Sequence, residues 1–207
     1  MRKIIETIKN IYNVEDLRVR ILNTLGFLLI YRLGSFVVLP GVDPNALDEY
    51  AQQTSQGILG LINMFAGGAF SRASVLALGI MPYISASIVI QLLGIAVPYF
   101  QKLQREGESG QQKLNQITRV LTIGITAAQS IGFLVNLQST VGGALISQTN
   151  PEVLSPIMFT VSNVIILTTG TVFVMWLGER ISDKGIGNGI SLLIMIGIIA
   201  RLPTALI

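Results

Sequence analysis

Two side chains that support much of enzyme chemistry are missing, because the 207 residues contain no cysteine and no histidine. Without cysteine, the chain can form no disulfide and no thiolate metal site. Without histidine, it lacks the base of a nucleophile–histidine dyad and the commonest zinc ligand. These absences exclude the usual hydrolase and zinc-enzyme arrangements.

Charge is also scarce, since Asp, Glu, Lys and Arg make up 12% of the residues, whereas a soluble domain carries about 25%. Three long windows contain none of these residues: 73–101, 120–151 and 153–178. A soluble helical bundle would place charges every few residues on its solvent face, so we exclude that class. Uncharged windows of this length predict membrane-spanning helices.

Hydropathy divides the chain into five predicted spans, with a cytoplasmic amphipathic segment before the first and an interrupted apolar segment before the second. In order, these segments are 1–20 (amphipathic), 21–39 (span 1), 58–74 (interrupted segment), 75–98 (span 2), 117–137 (span 3), 153–177 (span 4) and 186–207 (span 5). The alternative for residues 1–20 is an ordinary solvated leader. We expect no cleaved signal peptide, because the first apolar run is followed by "LPGVD" and not by a small-residue cleavage site.

Basic residues assign the two faces of the membrane. Eleven of the 14 Lys and Arg residues lie in the N-terminal 20 residues, between spans 2 and 3, at the start of span 3, or directly after span 4. The connections 41–60 and 138–152 contain acidic residues and no basic ones. The positive-inside rule therefore predicts a cytoplasmic N-terminus. These basic loops also account for the net charge of +3, so we expect no direct nucleic-acid reading.

The stretch from Asn63 to Leu93 is too long for one span, since as a helix it would measure about 46 Å against a hydrocarbon core of roughly 30 Å. It contains the pairs Gly67–Gly68 and Ser71–Arg72, and then Pro82. We expect two pieces that are divided at those pairs. Pro82 then lies near the start of the true span, where a lost backbone hydrogen bond does least harm.

No Asp or Glu lies within the predicted spans, which disfavours proton-coupled transport. Arg32 either extends outward to the interface or is buried against protein and fixes the position of its helix. Gln91 and Gln129 should face protein or a water-filled space, because an amide facing lipid is costly. Asn188 is a candidate cap in the glycine-rich approach to span 5, which lacks the pattern of a nucleotide-binding loop.

Four stretches carry a family resemblance: "YRLGSFVVLPGVD" (31–43), "NMFAGGAFSRASVLALGIMPYISASIVIQLL" (63–93), "QREGESGQQKLNQITR" (104–119) and "WLGERISDKGIGNGISLL" (176–193). At these residues the chain resembles the SecY family, the central subunits of the bacterial Sec protein-conducting channel. Two departures are visible. Val38 stands where the family often has a second proline, and Gln111 and Gln112 stand where it often has two basic residues.

The resemblance implies an all-α polytopic membrane fold in which two inverted five-helix halves form a ten-helix channel, and this chain matches the first half. Inverted repeats place the functional path between the halves, so we expect the 207 residues to be part of a longer chain. The segment before span 2 would be a re-entrant helix, the plug, which folds into the pore from outside.

The resemblance also assigns roles to individual residues. The plug comprises Asn63, Met64, Phe65, Ala66, Gly67, Gly68, Ala69, Phe70, Ser71 and Arg72. The aliphatic ring at the pore constriction, here called the isoleucine collar, comprises Ile80, Ile84, Ile190 and Ile194. One side of the lateral gate comprises Ser85, Gln91 and Gln129. The cytoplasmic partner contacts are Lys102, Arg105, Lys113, Arg180 and Lys184. Because Gln111 and Gln112 replace two basic residues, the loop that carries them is predicted to contact its partners more weakly than usual.

The function so implied is a passive channel that performs no chemistry and needs no cofactor. Its expected partners are SecE and SecG in the membrane, a SecA-like ATPase or the ribosome on the cytoplasmic face, substrate polypeptides with signal sequences, and the lipid bilayer. The expected location is the bacterial plasma (inner) membrane. Two alternatives stay open: half of a small-solute secondary transporter, favoured by the broken helix, and a half-protein that only scaffolds other subunits.

Overall fold

The computed structural model describes residues 14–44, 47, 50, 51, 57–140, 145 and 155–200, and within these ranges the chain is all-α. The helices of this part are α1 (Glu15–Gly34), α2 (Gly57–Phe65), α3 (Met81–Ala96), α4 (Pro98–Arg105), α5 (Glu108–Thr140), α6 (Pro156–Lys184) and α7 (Gly189–Ile199). The predictions for 1–13 and 201–207 lie outside the described residues.

Local sequence sets several helix starts. The Ser155 side chain accepts a hydrogen bond from the Met158 N–H, and Asn188 does the same for the Ser191 N–H, as helix N-caps do. Pro82 is one of the first two residues of α3, where its missing N–H breaks no intrahelical bond. The predicted cap and the predicted position of the proline are therefore both observed.

The helices differ in length from the predicted spans. α1 begins at Glu15, inside the predicted amphipathic segment, and ends at Gly34, before the predicted end of span 1 at Leu39. α6 continues to Lys184, past the predicted limit at Leu177. Hydropathy marks apolar residues, whereas a helix continues for as long as its backbone bonds are made, so the two limits need not coincide.

Span 2 shows the largest difference, because α3 begins at Met81 and not at Val75. Residues 66–80 form successive turns, although most of them are apolar. After α3 the chain bends by 99° at Val97 into α4. α4 is short, and Lys102 and Arg105 lie in its last turn.

Two of the described helices, α5 and α6, are long and apolar enough to cross a membrane, and the bent pair α3 and α4 makes a third if it counts as one span. α1 is not in this set, since five of its 20 residues are charged. Nevertheless, leucines along α1 are exposed, namely Leu22, Leu25, Leu29 and Leu33. An exposed apolar row of this kind is typical of a surface that faces lipid or another protein.

The long helix α5 packs against both α3 and α6, and α6 also packs against α1 and α7. A buried row of hydroxyl residues runs along α5: Thr118, Thr122, Thr126 and Ser130. Each hydroxyl donates to the carbonyl four residues earlier at 2.6 to 2.8 Å. Because each hydroxyl has its hydrogen bond within α5, these small polar side chains can be buried where α5 packs against other helices without leaving an unpaired polar group.

Candidate functional site

Residues 66–80, here called the turn segment, connect α2 to α3, and all of them except Arg72 and Val75 are buried. The chain reverses at Gly67 and Gly68, whose φ angles of 62° and 85° lie in the left-handed region that glycine enters without a steric penalty. The predicted division at the glycine pair thus coincides with a turn. Irregular backbone at membrane depth is tolerated only inside protein or water, and the burial of this segment meets that condition.

Asn63 at the end of α2 holds the turn together. Its side-chain oxygen accepts the Ser71 N–H at 3.0 Å, and its carbonyl accepts the Gly68 N–H at 2.9 Å. The Ser71 hydroxyl donates to the Gly68 carbonyl at 3.2 Å. Asn63 is fully buried, so these bonds are shielded from competing water. These bonds join Asn63, Gly68 and Ser71 within the predicted plug.

An aromatic cluster fixes the turn segment to α5. Phe70 contacts Phe133 edge to face with ring centroids 4.9 Å apart, and Tyr50 stacks on Phe70 at 6.2 Å. The Tyr50 hydroxyl donates to the Asn136 side-chain oxygen at 3.2 Å. Burial raises the pKa of Tyr50, so the phenol keeps its proton and remains a donor.

The exit from the turn segment is paired with the chain that follows α1. The Leu39 N–H donates to the Ala73 carbonyl and the Val75 N–H to the Val37 carbonyl, both at 2.9 Å. Val38 and Ser74 form an isolated antiparallel bridge between these bonds. This pairing holds Ala73 and Val75 outside a helix, and the Leu76 N–H donates to the Ser74 hydroxyl at 3.1 Å. Gly79 then has a φ of 54°, in the left-handed region, so α3 starts after it and later than predicted.

Arg32 turns inward. Its Nη1 donates to the Gly67 carbonyl at 2.8 Å, and its guanidinium lies 5.1 Å from the centre of the Phe36 ring. Of the two interpretations that the sequence left open, the structure selects the contact with protein. A cation on α1 thus touches the glycine pair of the predicted plug.

The four isoleucines of the predicted collar belong to one hydrophobic cluster. Ile80 is buried at the N-cap of α3, and Ile84 is half-buried one turn later. Ile190 and Ile194 are half-buried on α7. Residues from two distant parts of the sequence are therefore brought together, and their role as a collar stays a prediction.

The predicted gate residues are only partly brought together. Ser85 on α3 and Gln129 on α5 line a cavity of about 400 Å³ that also contacts Phe70 and Phe133. Gln91 is exposed on α3, and its amide donates to the Ser87 hydroxyl at 3.4 Å. Gln129 thus borders a space, as expected, whereas Gln91 contacts its own helix.

The predicted cytoplasmic contacts lie on three elements. Lys102 and Arg105 are exposed on α4, and Lys113 on α5 lies 3.8 Å from the Glu106 carboxylate. On α6, Arg180 lies over the Trp176 ring at 5.5 Å, and Lys184 is exposed at the end of the helix. Their exposure leaves most of this charge accessible to an acidic partner.

Sequence reasoning missed the anchoring of the turn between α6 and α7. Thr24 on α1 is 8% exposed, and its hydroxyl oxygen accepts the Ile186 N–H at 3.1 Å. The same hydroxyl donates to the Arg20 carbonyl at 2.8 Å. The side-chain amide of Asn23 donates to the Lys184 carbonyl at 3.4 Å. A lone threonine 162 residues from its partner offers no sequence signal for this contact.

An ion pair links α5 and α6 beside the same end of the bundle. Arg119 forms two bonds to the Glu179 carboxylate, at 3.0 and 2.8 Å. This bidentate geometry is the strongest form of such a pair. In the part of the chain that the structure describes, no three acidic side chains stand close enough to bind a metal ion.

The chain is similar to known proteins along nearly its whole length. The family model described as SecY matches residues 74–207. A protein translocase subunit SecY from Rickettsia typhi is 46% identical over 194 residues, which are 93% of this chain and 44% of that relative. The corresponding subunit of Vibrio cholerae is 47% identical over 193 residues, 93% of this chain and 42% of the relative.

A third relative gives the same result, since the protein translocase subunit SecY of Streptomyces scabiei is 44% identical over 201 residues. That match covers 94% of this chain and 45% of the relative. The chain therefore spans less than half the length of the curated relatives that it matches.

Proposed function

Because the chain belongs to the SecY family, we propose that it supplies the first half of a passive channel that moves unfolded polypeptides across the bacterial plasma membrane. In this proposal the N-terminus is cytoplasmic. The channel also releases transmembrane segments sideways into lipid. It catalyses no reaction and binds no cofactor.

One observation carries the proposal: relatives named protein translocase subunit SecY are identical to this chain at 44 to 47% of the aligned positions, and the alignments cover more than nine tenths of its length. The geometry adds support, because the four isoleucines selected by motif position lie in a single cluster.

A collar of isoleucines suits such a task. An apolar constriction closes around an extended chain of any sequence without binding it, and it blocks ions because water leaves a narrow apolar pore. In the proposal, the turn segment and α2 block the path from the outer side while the channel rests. The cavity that Ser85 and Gln129 line then belongs to the side of the gate through which apolar segments leave.

The proposed partners follow from the same assignment. SecE and SecG would contact the channel within the bilayer, and a SecA-like ATPase or the ribosome would bind the exposed basic residues at the cytoplasmic end. Signal sequences of substrate polypeptides would enter at the gate. These partners supply the energy, since the channel itself hydrolyses nothing.

The collar is tested in the complete channel, reconstituted with its membrane subunits in planar bilayers. Replacing Ile84 and Ile190 by asparagine should raise the resting ion conductance, because polar side chains keep water in the constriction. Ile157→Asn is the matched control: this isoleucine is 78% exposed at the start of α6, so the conductance should stay at the wild-type value. An unchanged conductance in the double variant would refute the collar.

Transport distinguishes this proposal from half of a solute transporter. Vesicles with the complete channel and its ATPase should import an unfolded secretory polypeptide, and a ribosome or SecA-like ATPase should co-purify with the channel. Saturable uptake of a small solute, without polypeptide import, would overturn the proposal.

A further inference from the structure

We propose that Arg32 and Gly197 are positioning residues which together form a seat that holds the plug in its closed position. This inference rests on the proposed channel function, and it extends that function to two residues outside the predicted plug and collar. The seat lies where the end of α1, the glycine turn and α7 meet.

Two kinds of hydrogen bond must be distinguished, namely those within the plug and those between the plug and the helices around it. The Asn63 bonds to Ser71 and Gly68 join parts of one unit, so they can move with that unit. The Arg32 bond to the Gly67 carbonyl joins α1 to the plug at 2.8 Å, so it must break when the plug leaves. Arg32 therefore contributes to the closed state alone.

The Arg32 guanidinium is also a strong hydrogen-bond donor. A charged guanidinium donating to a carbonyl forms a shorter and stronger bond than two neutral groups, and a surrounding of low dielectric strengthens it further. The Phe36 ring, directly after α1, holds this guanidinium on one side, and the guanidinium of Arg72 lies 4.3 Å from the centre of the same ring. The Phe36 ring thus contacts one cation on α1, Arg32, and one cation of the plug, Arg72.

On α7 the seat consists of Gly197, which lies against the backbone of Phe65 and Gly67. A Cβ atom added to Gly197 would lie 2.9 Å from the Phe65 carbonyl oxygen and 3.3 Å from the Gly67 nitrogen. A Cβ atom on Gly67 would in turn lie 3.1 Å from the Gly197 Cα. Glycine destabilises a helix interior by roughly 0.5–1 kcal/mol relative to alanine, and here its lack of a side chain lets α7 touch the turn.

The first test is the resting ion conductance of the complete channel, reconstituted with its membrane subunits. Arg32→Gln removes the charged donor, so the resting open fraction should rise roughly tenfold or more. Arg32→Lys keeps a cationic donor and should restore much of the closure. Gly197→Ala should also raise the open fraction, because the methyl group displaces the turn. Arg20→Gln, a cation of the same helix paired with Asp16, should match the wild type.

A double change distinguishes the seat from a merely structural role in α1. With residues 63–72 deleted, Arg32→Gln and Gly197→Ala should add nothing to the conductance, since there is no plug to hold. If either substitution adds as much conductance to the deleted channel as it adds to the intact one, or if neither adds any to the intact channel, the seat is refuted.

A second measurement needs no transport. The chain contains no cysteine, so Ala69→Cys, at a position that is 0% exposed, gives a single maleimide target inside the plug once any other cysteines of the complete channel are removed. Its labelling rate should rise roughly tenfold with Arg32→Gln and with Gly197→Ala, and equal rates would overturn the seat. If the wild-type channel passes no polypeptide while labelling responds as stated, the channel function fails and the seat stands.

Discussion

The anchoring of the turn between α6 and α7 by Thr24 allows a sharp test, because threonine and valine have nearly the same shape. Thr24→Val removes the oxygen that accepts the Ile186 N–H at 3.1 Å and leaves the volume of the side chain unchanged. The Arg20 carbonyl loses the hydroxyl donor but lies within α1, where the backbone also serves it. The substitution therefore isolates one hydrogen bond.

The magnitude follows from burial. Thr24 is 8% exposed, and Gly185 packs so closely that an added Cβ would collide with the Thr24 hydroxyl. Water cannot easily replace the lost acceptor in such a site, and an orphaned N–H costs about 1–3 kcal/mol. Part of that cost disappears as the turn shifts, so we expect about 1–2 kcal/mol, a factor of roughly 5–30 in the local opening constant.

Amide hydrogen exchange of the peptide that contains Ile186 measures this opening directly. Exchange should accelerate by that factor in Thr24→Val, whereas Thr24→Ser, which keeps the hydroxyl, should stay near the wild-type rate. Peptides from the middle of α5 serve as an internal reference and should not change. Equal exchange in the valine and serine variants would show that the hydroxyl does not hold the turn.

Three further outcomes follow from the described contacts. Asn63→Ala should lower the free energy of unfolding by about 1 kcal/mol, because the Ser71 N–H loses its acceptor while an unpaired side-chain amide also disappears; an unchanged melting temperature would contradict this. Arg119→Ala should cost less than about 1 kcal/mol, since the pair with Glu179 is partly exposed, and the loss should shrink in high salt. Burial raises the pKa of Tyr50, so the stability it contributes is complete below about pH 10 and is lost at higher pH; the phenylalanine variant should lack this alkaline loss in unfolding measurements.

The family resemblance and the local signals were readable from the sequence. The four motifs indicated the SecY family, and the family model and relatives at 44 to 47% identity show that the chain belongs to it. The turn at Gly67–Gly68, the early position of Pro82 in α3 and the capping by Asn188 were also predicted. Each of these depends on a residue whose own backbone or side chain imposes the structure.

The start of α3 could not be predicted in this way. Residues 75–80 are largely apolar, and hydropathy assigns them to a span, yet they form turns. Residues 73–75 pair instead with residues 37–39, and Gly79 has a left-handed φ of 54° just before Met81. The sequence also placed Gln91 and Gln129 in one class, although Gln129 lines a cavity and Gln91 contacts its own helix.

The sequence by itself determined the apolar character of the helices and the family to which the chain belongs. It also marked the stretch from Asn63 to Leu93 as two pieces. Only the tertiary structure decided that Arg32 points inward to the Gly67 carbonyl, that Gly197 touches the same turn, and that isoleucines of α3 and α7 share one cluster. Such contacts join residues far apart in the chain, so they depend on how the helices pack.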